Sequence, residues 1–209
     1  MNAKHTLPWL ATMWSAIYIL TGCQSPTAGL PSGGIATPAT RNNCYSLLHQ
    51  LLDEQKDVSI LRFIKREHTD VRELVKKIAA NSAAGAKLLE VFARHDPSLK
   101  LDDLRLPPGE TATREAIGST KEKELLSQTG DEFELTLLLT QTEALSYAWH
   151  LAQVAGENES QPDRARALAG VSQDMRQLYQ EVFAMLLSKI TSSATNSINP
   201  HPEQRVTAL

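Results

Sequence analysis

Cysteine is nearly absent from this chain, with two in 209 residues, which excludes a disulfide-stapled scaffold. Ten glycines without a period exclude collagen-like material. Neither sign of charge dominates: 21 Lys and Arg stand against 24 Asp and Glu, a formal net charge of -3. The basic footprint of a general nucleic-acid binder is therefore missing. Strand signals are missing too, since no run of alternating β-branched residues lies between turn signals and no Asn-Gly or Asp-Gly pair occurs. What remains is ordinary globular material, 42% apolar and 22% charged, long enough for one sizeable core or two small ones.

The one long uncharged apolar stretch, Leu7 to Leu20, lies behind Lys4 and His5 and is short for a bilayer core of about 30 Å. It runs into Leu20-Thr21-Gly22-Cys23, which resembles the lipobox of bacterial lipoproteins. That resemblance implies a signal peptide over residues 1–22, cleavage before Cys23, and lipidation of Cys23 by a diacylglycerol thioether and an N-acyl group such as palmitate. The other reading of the stretch is an uncleaved membrane anchor, which Pro8 disfavours; both readings export the rest of the chain. Gln24 in place of an aspartate points to the outer membrane, facing the periplasm. The mature chain keeps 20 basic and 24 acidic residues and contains no second membrane segment. Two or three acyl chains suffice for stable anchoring, each buried CH₂ adding about 0.8 kcal/mol.

Residues 23–42 hold Pro26, Pro31 and Pro38 with several Gly, Ser and Thr and show no hydrophobic period. They read as the lipidated cysteine followed by a disordered tether with a reach of roughly 25 Å. Residues 191–209, with Asn199-Pro200-His201-Pro202, read as a disordered tail. The folded domain is then 43–190, and its pattern is helical.

The spacing predicts a first helix from Cys44 through Tyr45, Leu48, Leu51 and Leu52, continuing with Val58, Leu61 and Ile64 after a break near Asp57. A second is capped by Thr69 or Asp70 and carries Val71, Leu74, Val75, Ile78, Ser82, Leu89 and Phe92 on one face. Its small-sided middle includes Gly85, which costs about 1 kcal/mol in a helix unless another helix approaches closely there. After His95-Asp96-Pro97 a shorter helix is expected over Thr111–Ser127. Thr129-Gly130-Asp131-Glu132 matches a capping box opening a long apolar helix to Gly156, which Leu135, Leu137, Leu138 and Leu139 make the most buried one expected. Ser160 and Pro162 open the last, whose Leu168, Val171, Met175, Leu178, Val182 and Met185 keep steps of three and four. The fold expected is an all-α, up-down bundle of four long helices and one short one.

Three phrases, Asp70-Val71-Arg72-Glu73-Leu74, Leu106-Pro107 and Gly130-Asp131-Glu132-Phe133-Glu134, resemble those of a secreted ferritin-like bacterial family of unknown function, over residues 45–190. That family often carries an Asp-His pair in each of two helices. The nearest positions here are Asn81-Ser82 and Ala144-Leu145, so the resemblance does not bring a metal role with it.

The residues themselves carry little chemistry. Di-iron carboxylate bundles need Glu-x-x-His on two helices, and no Glu-x-x-His occurs; nor does a nucleophile elbow, a phosphate-cradling loop or His-Glu-x-x-His. His49 and Asp53 have chelate spacing but read as a solvated face, His68 as a turn residue, and His95 as a partner of a helix dipole. Glu143 and His150, two turns apart on one side of the apolar helix, are the candidate ligand or metal pair; only a facing acid such as Glu54 or Glu181 could complete a site. High-affinity transition-metal binding is accordingly not expected, nor any cofactor or catalytic residue. Cys44, the cysteine left unmodified, has three readings: a small buried hydrophobe, a reactive thiol, or half of a disulfide-linked dimer. Two functional classes follow. The favoured one is a non-enzymatic, lipid-anchored envelope module that binds a protein partner or plays a structural part; the alternative is a ferritin-like bundle that binds a metal or small ligand.

Overall fold

The computed structural model describes residues 38–58, 68–104 and 106–198. Expectations for the signal peptide, the lipobox, Leu61, Ile64 and the tail beyond 198 fall outside these residues. Five α-helices form the regular structure described: α1 (Pro38–Gln55), α2 (Thr69–His95), α3 (Pro108–Ser127), α4 (Gly130–Glu157) and α5 (Pro162–Ile198). The expected all-α up-down bundle is what forms. The largest interface joins α4 to α5, α1 lies against both α2 and α4, and α2 closes the ring against α5. The crossover helix α3 lies outside this ring and touches α4.

One apolar core runs through the ring, from Tyr45, Leu48 and Leu52 on α1 through Ile78 and Leu89 on α2 and Leu137, Leu138 and Leu145 on α4 to Leu168 and Leu178 on α5. The three-four seam of α5 is buried from Leu168 to Val182. Its last member is Leu186, with Met185 only partly buried, because one more residue brings the side chain back toward the centre of the face. Gly85 sits at the tightest crossing: a Cβ there would lie 2.8 Å from Leu52 Cδ1 and 3.8 Å from Val171 Cγ1. Leu52 of α1 thus fills the space a side chain would take, the close approach that offsets glycine's helix penalty.

Five local expectations are corrected. The tether does not extend to residue 42, because α1 already starts at Pro38 and its first turns are anchored: Arg41 Nη2 donates to Ser98 Oγ at 3.2 Å and Asn42 Nδ2 to Ser98 O at 2.9 Å. The domain does not stop at 190 either, since α5 continues to Ile198. Thr191 and Ser192 bond carbonyls of the preceding turn, which keeps their hydroxyls satisfied inside a helix. The short helix begins at Pro108, a residue whose fixed φ suits a first helical position, and at 20 residues it outlasts the described 18 of α1. Thr129 is the N-cap of α4 but makes no side-chain cap bond, for Gly130 enters the helix at φ 59° and turns the Thr129 side chain away from the first amides. Leu139 is exposed, since three consecutive leucines spread over 200° of a helix and cannot all face one core.

Candidate functional site

The outward side of α5 carries a second apolar row beside the buried one. Tyr179, Phe183, Leu187 and Ile190 follow each other at steps of four, four and three, so they share one helix face. Phe183, Leu187 and Ile190 are 42%, 48% and 49% exposed. The row is ordered at its start: Trp149 of α4 meets Tyr179 edge-on at 5.4 Å between ring centroids, and Tyr179 stacks on Phe183 at 6.0 Å. Arg176 Cζ lies 5.6 Å from the Trp149 ring centroid. Between Val182 and Ser192 the one charged residue is Lys189, whose ammonium turns inward to Glu134. Single exposed leucines are common on protein surfaces, whereas this row is uncharged and contiguous at helical spacing.

At one end of the bundle, polar groups gather around Glu159, in the α4–α5 connection, whose side chain has no solvent exposure. Tyr45 Oη donates to Glu159 Oε2 at 2.7 Å, and Arg164 Nη2 and the Gln161 N–H donate to Oε1, each at 2.9 Å. Arg41 Nη1 stands 3.9 Å away. Arg164 also donates from Nη1 to Asp96 Oδ2 at 2.7 Å, while Ser98 donates to the other Asp96 oxygen. Burial alone would raise the Glu159 carboxyl, but the bonds from Arg164, Gln161 and Tyr45 hold it below its usual range. Ser98 and Arg164 draw Asp96 down to about 2. Burial, reinforced by the bond to Glu159, pushes the Tyr45 phenol well up. Four chain segments are tied together here, and the arrangement is a structural lock without a nucleophile or an opening.

At the opposite end Glu134 is 1% exposed; its Oε1 accepts from the backbone N–H of His68, while Oε2 faces His68 Nδ1 at 2.9 Å and takes the Lys189 ammonium. Burial raises this carboxyl, and the bonds from Lys189 and His68 outweigh it and lower it. His68, expected in a turn, is the N-cap of α2, and Glu134 serves as its cap from another helix. Asp131 joins His68 and Glu134 in a cluster of metal-ligand type, and His49, Asp53 and Glu90 form another.

The pair singled out from sequence, Glu143 and His150, joins neither cluster among the described residues. His150 is exposed, stacks on Trp149 at 4.1 Å and points Nδ1 at Ser146 O. The Glu143 carboxyl is raised by burial against the pull of Lys121 on α3, and its Oε2 is shielded without a hydrogen-bond partner. Glu181, a conceivable third ligand, is held by Lys77 instead. His95 caps its own helix end through Val91 O at 2.8 Å. Cys44 is buried and free, and burial raises its thiol, which fits the small-hydrophobe reading among its three. A shallow depression lined by Asn43, Leu47, Asp103, Leu104 and Leu106 offers about 40 Å³. Sites for drug-sized ligands run to roughly 300–1,000 Å³, so this depression is too small for one.

Sequence reasoning missed the outer row of α5 and both buried carboxylates. The row was visible in principle, as a second set of three- and four-residue steps offset from the seam. The carboxylates were not, because Glu134 and Glu159 read like any solvated acid until the helices are docked. No protein-family profile, curated protein or solved structure matches the chain.

Proposed function

We propose that the protein is a lipid-anchored, non-enzymatic lipoprotein of the bacterial cell envelope whose helical domain is an interaction module. The observation that supports this most is the outer row of α5. Its occupant is an apolar helix face of an envelope protein: the row's steps of four, four and three match the spacing by which helices interdigitate, and its lack of charge suits an apolar partner rather than an acidic or basic one. The anchor at Cys23 would hold the domain at the membrane, where such a partner is met at high effective concentration. Bound water, metal or substrate need play no part in that role.

The test is site-specific photo-crosslinking in cells. A photoreactive residue at Phe183 or Leu187 is expected to give one discrete envelope adduct, whereas the same residue at exposed Glu73 on α2 gives none. Cys23→Ser is expected to abolish lipid labelling, leave the precursor unprocessed and lose the adduct. Equal adducts from all three positions would dissolve the docking face, and normal maturation of Cys23→Ser would remove the anchor.

A further inference from the structure

We infer that His49, Asp53 and Glu90 form a divalent transition-metal site, of the zinc class, between α1 and α2. The sequence alone offered a two-residue chelate, His49 and Asp53 four apart on one helix. The packing of α2 against α1 brings a third ligand, Glu90, from the facing helix. One ligand atom from each residue lies within 4.8 Å of the other two, and His49 Nε2 stands 3.6 Å from Glu90 Oε1. Donors bound to one tetrahedral zinc at about 2.0–2.2 Å lie roughly 3.4 Å from each other, so closing the site needs side-chain adjustments rather than movement of a helix.

The state of the imidazole is a second observation. His49 Nε2 is shielded from solvent and has no hydrogen-bond partner, an orphaned nitrogen 3.6 Å from one carboxylate, Glu90, in a cluster that also holds Asp53. A cation between them would give it a bond and offset both negative charges. One nitrogen with two carboxylate oxygens suits zinc or manganese better than magnesium, and all three residues are half-buried, which leaves the fourth position to water. The groups that now neutralise the acids lie on the rim. Lys56, just past the end of α1, holds Asp53, and Arg94 Nη1 stands 3.9 Å from the other Glu90 oxygen. Such exposed pairs are weak and give way to a dication at little cost.

The second cluster, His68, Asp131 and Glu134, differs on this point. Its central carboxylate is already matched by Lys189, which is only 19% exposed, unlike the rim cations of the first cluster. It also accepts the His68 amide, a bond that metal would compete for. The metal site is independent of the docking face on α5, and each can fail without the other.

The test is Zn²⁺ titration by calorimetry on the untagged full chain carrying Cys23→Ser, so that buried Cys44 is the one thiol left, with Co²⁺ absorption as a readout of ligand geometry. One equivalent of Zn²⁺ is expected to bind, and Co²⁺ to show the visible bands of a four- or five-coordinate nitrogen–oxygen site. His49→Ala is expected to weaken binding by about 100-fold or more, since even outer-shell partners are worth about 10- to 100-fold. Glu90→Gln, which keeps the side chain's shape, covers the case in which His49→Ala fails to fold. His68→Ala should leave binding unchanged. Absence of saturable binding overturns the assignment, as does binding that survives Glu90→Gln or is lost with His68→Ala.

Discussion

At one end of the bundle Glu159 is held by a phenol, a backbone amide and a guanidinium that is itself shared with Asp96; at the other, Glu134 is held by an ammonium and the first turn of α2. Both carboxylates lie near the ends of α4, and both satisfy chain ends that would otherwise leave polar groups bare. The difference is in what each end joins. The Glu159 end gathers α1, the exit of α2, the α4–α5 connection and the start of α5, with Arg164 shared between Glu159 and Asp96 and Asp96 held in turn by Ser98. The Glu134 end joins only the entry of α2 to α4 and α5, and beyond it α5 runs on to Ile198 with an apolar row facing outward. Among the described residues, then, the domain is tied by shared partners at one end and exposes apolar surface toward the other.

Breaking the locked end should have the largest effect. Glu159→Ala removes the acceptor of Tyr45, Arg164 and the Gln161 amide and leaves the mostly buried Arg164 short of a partner. Leaving one member of a buried pair uncompensated costs about 3–5 kcal/mol, which urea unfolding would read directly. A loss below about 1 kcal/mol, the range of exposed ion pairs, would show that water replaces Glu159 freely and that the end is not locked.

How far this was legible from sequence depends on whether a feature belongs to one helix or to two. The α5 seam, the closeness at Gly85 and the helix order follow from periodicity and breakers, and the structure has them. Features set by inter-helix register do not follow. Arg41 and Asn42 look like tether residues until Ser98 is placed beside them, and Glu90 has no visible relation to His49 until α1 and α2 are docked. The same holds for Thr129, where the capping motif is present in letters but the left-handed Gly130 takes the side chain out of reach.

The comparison of the two ends sharpens in acid. Asp96, Glu159 and Glu134 all have carboxyls lowered in the folded state, Asp96 to about 2. A depressed folded pKa adds stability that is fully present above the unfolded value near 4 and is lost as pH falls through the folded one. The contribution of these three carboxyls should therefore be level above about pH 5 and decline toward pH 2. Asp96→Asn should flatten the lowest part of that decline while leaving the behaviour near neutrality in place. Urea midpoints collected across this range would contradict the charge pairing if they stayed constant down to pH 2.

The smallest effect is expected on the outer row, and its smallness is what carries meaning. Leu178 and Leu187 belong to the same helix, nine positions apart, and one is 1% exposed while the other is 48% exposed. Leu178→Ala should cost about 2–5 kcal/mol through lost transfer energy and a cavity. Leu187→Ala, on a face that nothing in the chain's described residues covers, should change stability by no more than about 0.5 kcal/mol. Both values come from the same urea experiment, run at two protein concentrations. Were Leu187→Ala to cost as much as Leu178→Ala, with a midpoint that rises with protein concentration, the outer row would already be buried against a second copy of this chain. The partner would then be the protein itself, and the outer row would be a dimer interface rather than a free face.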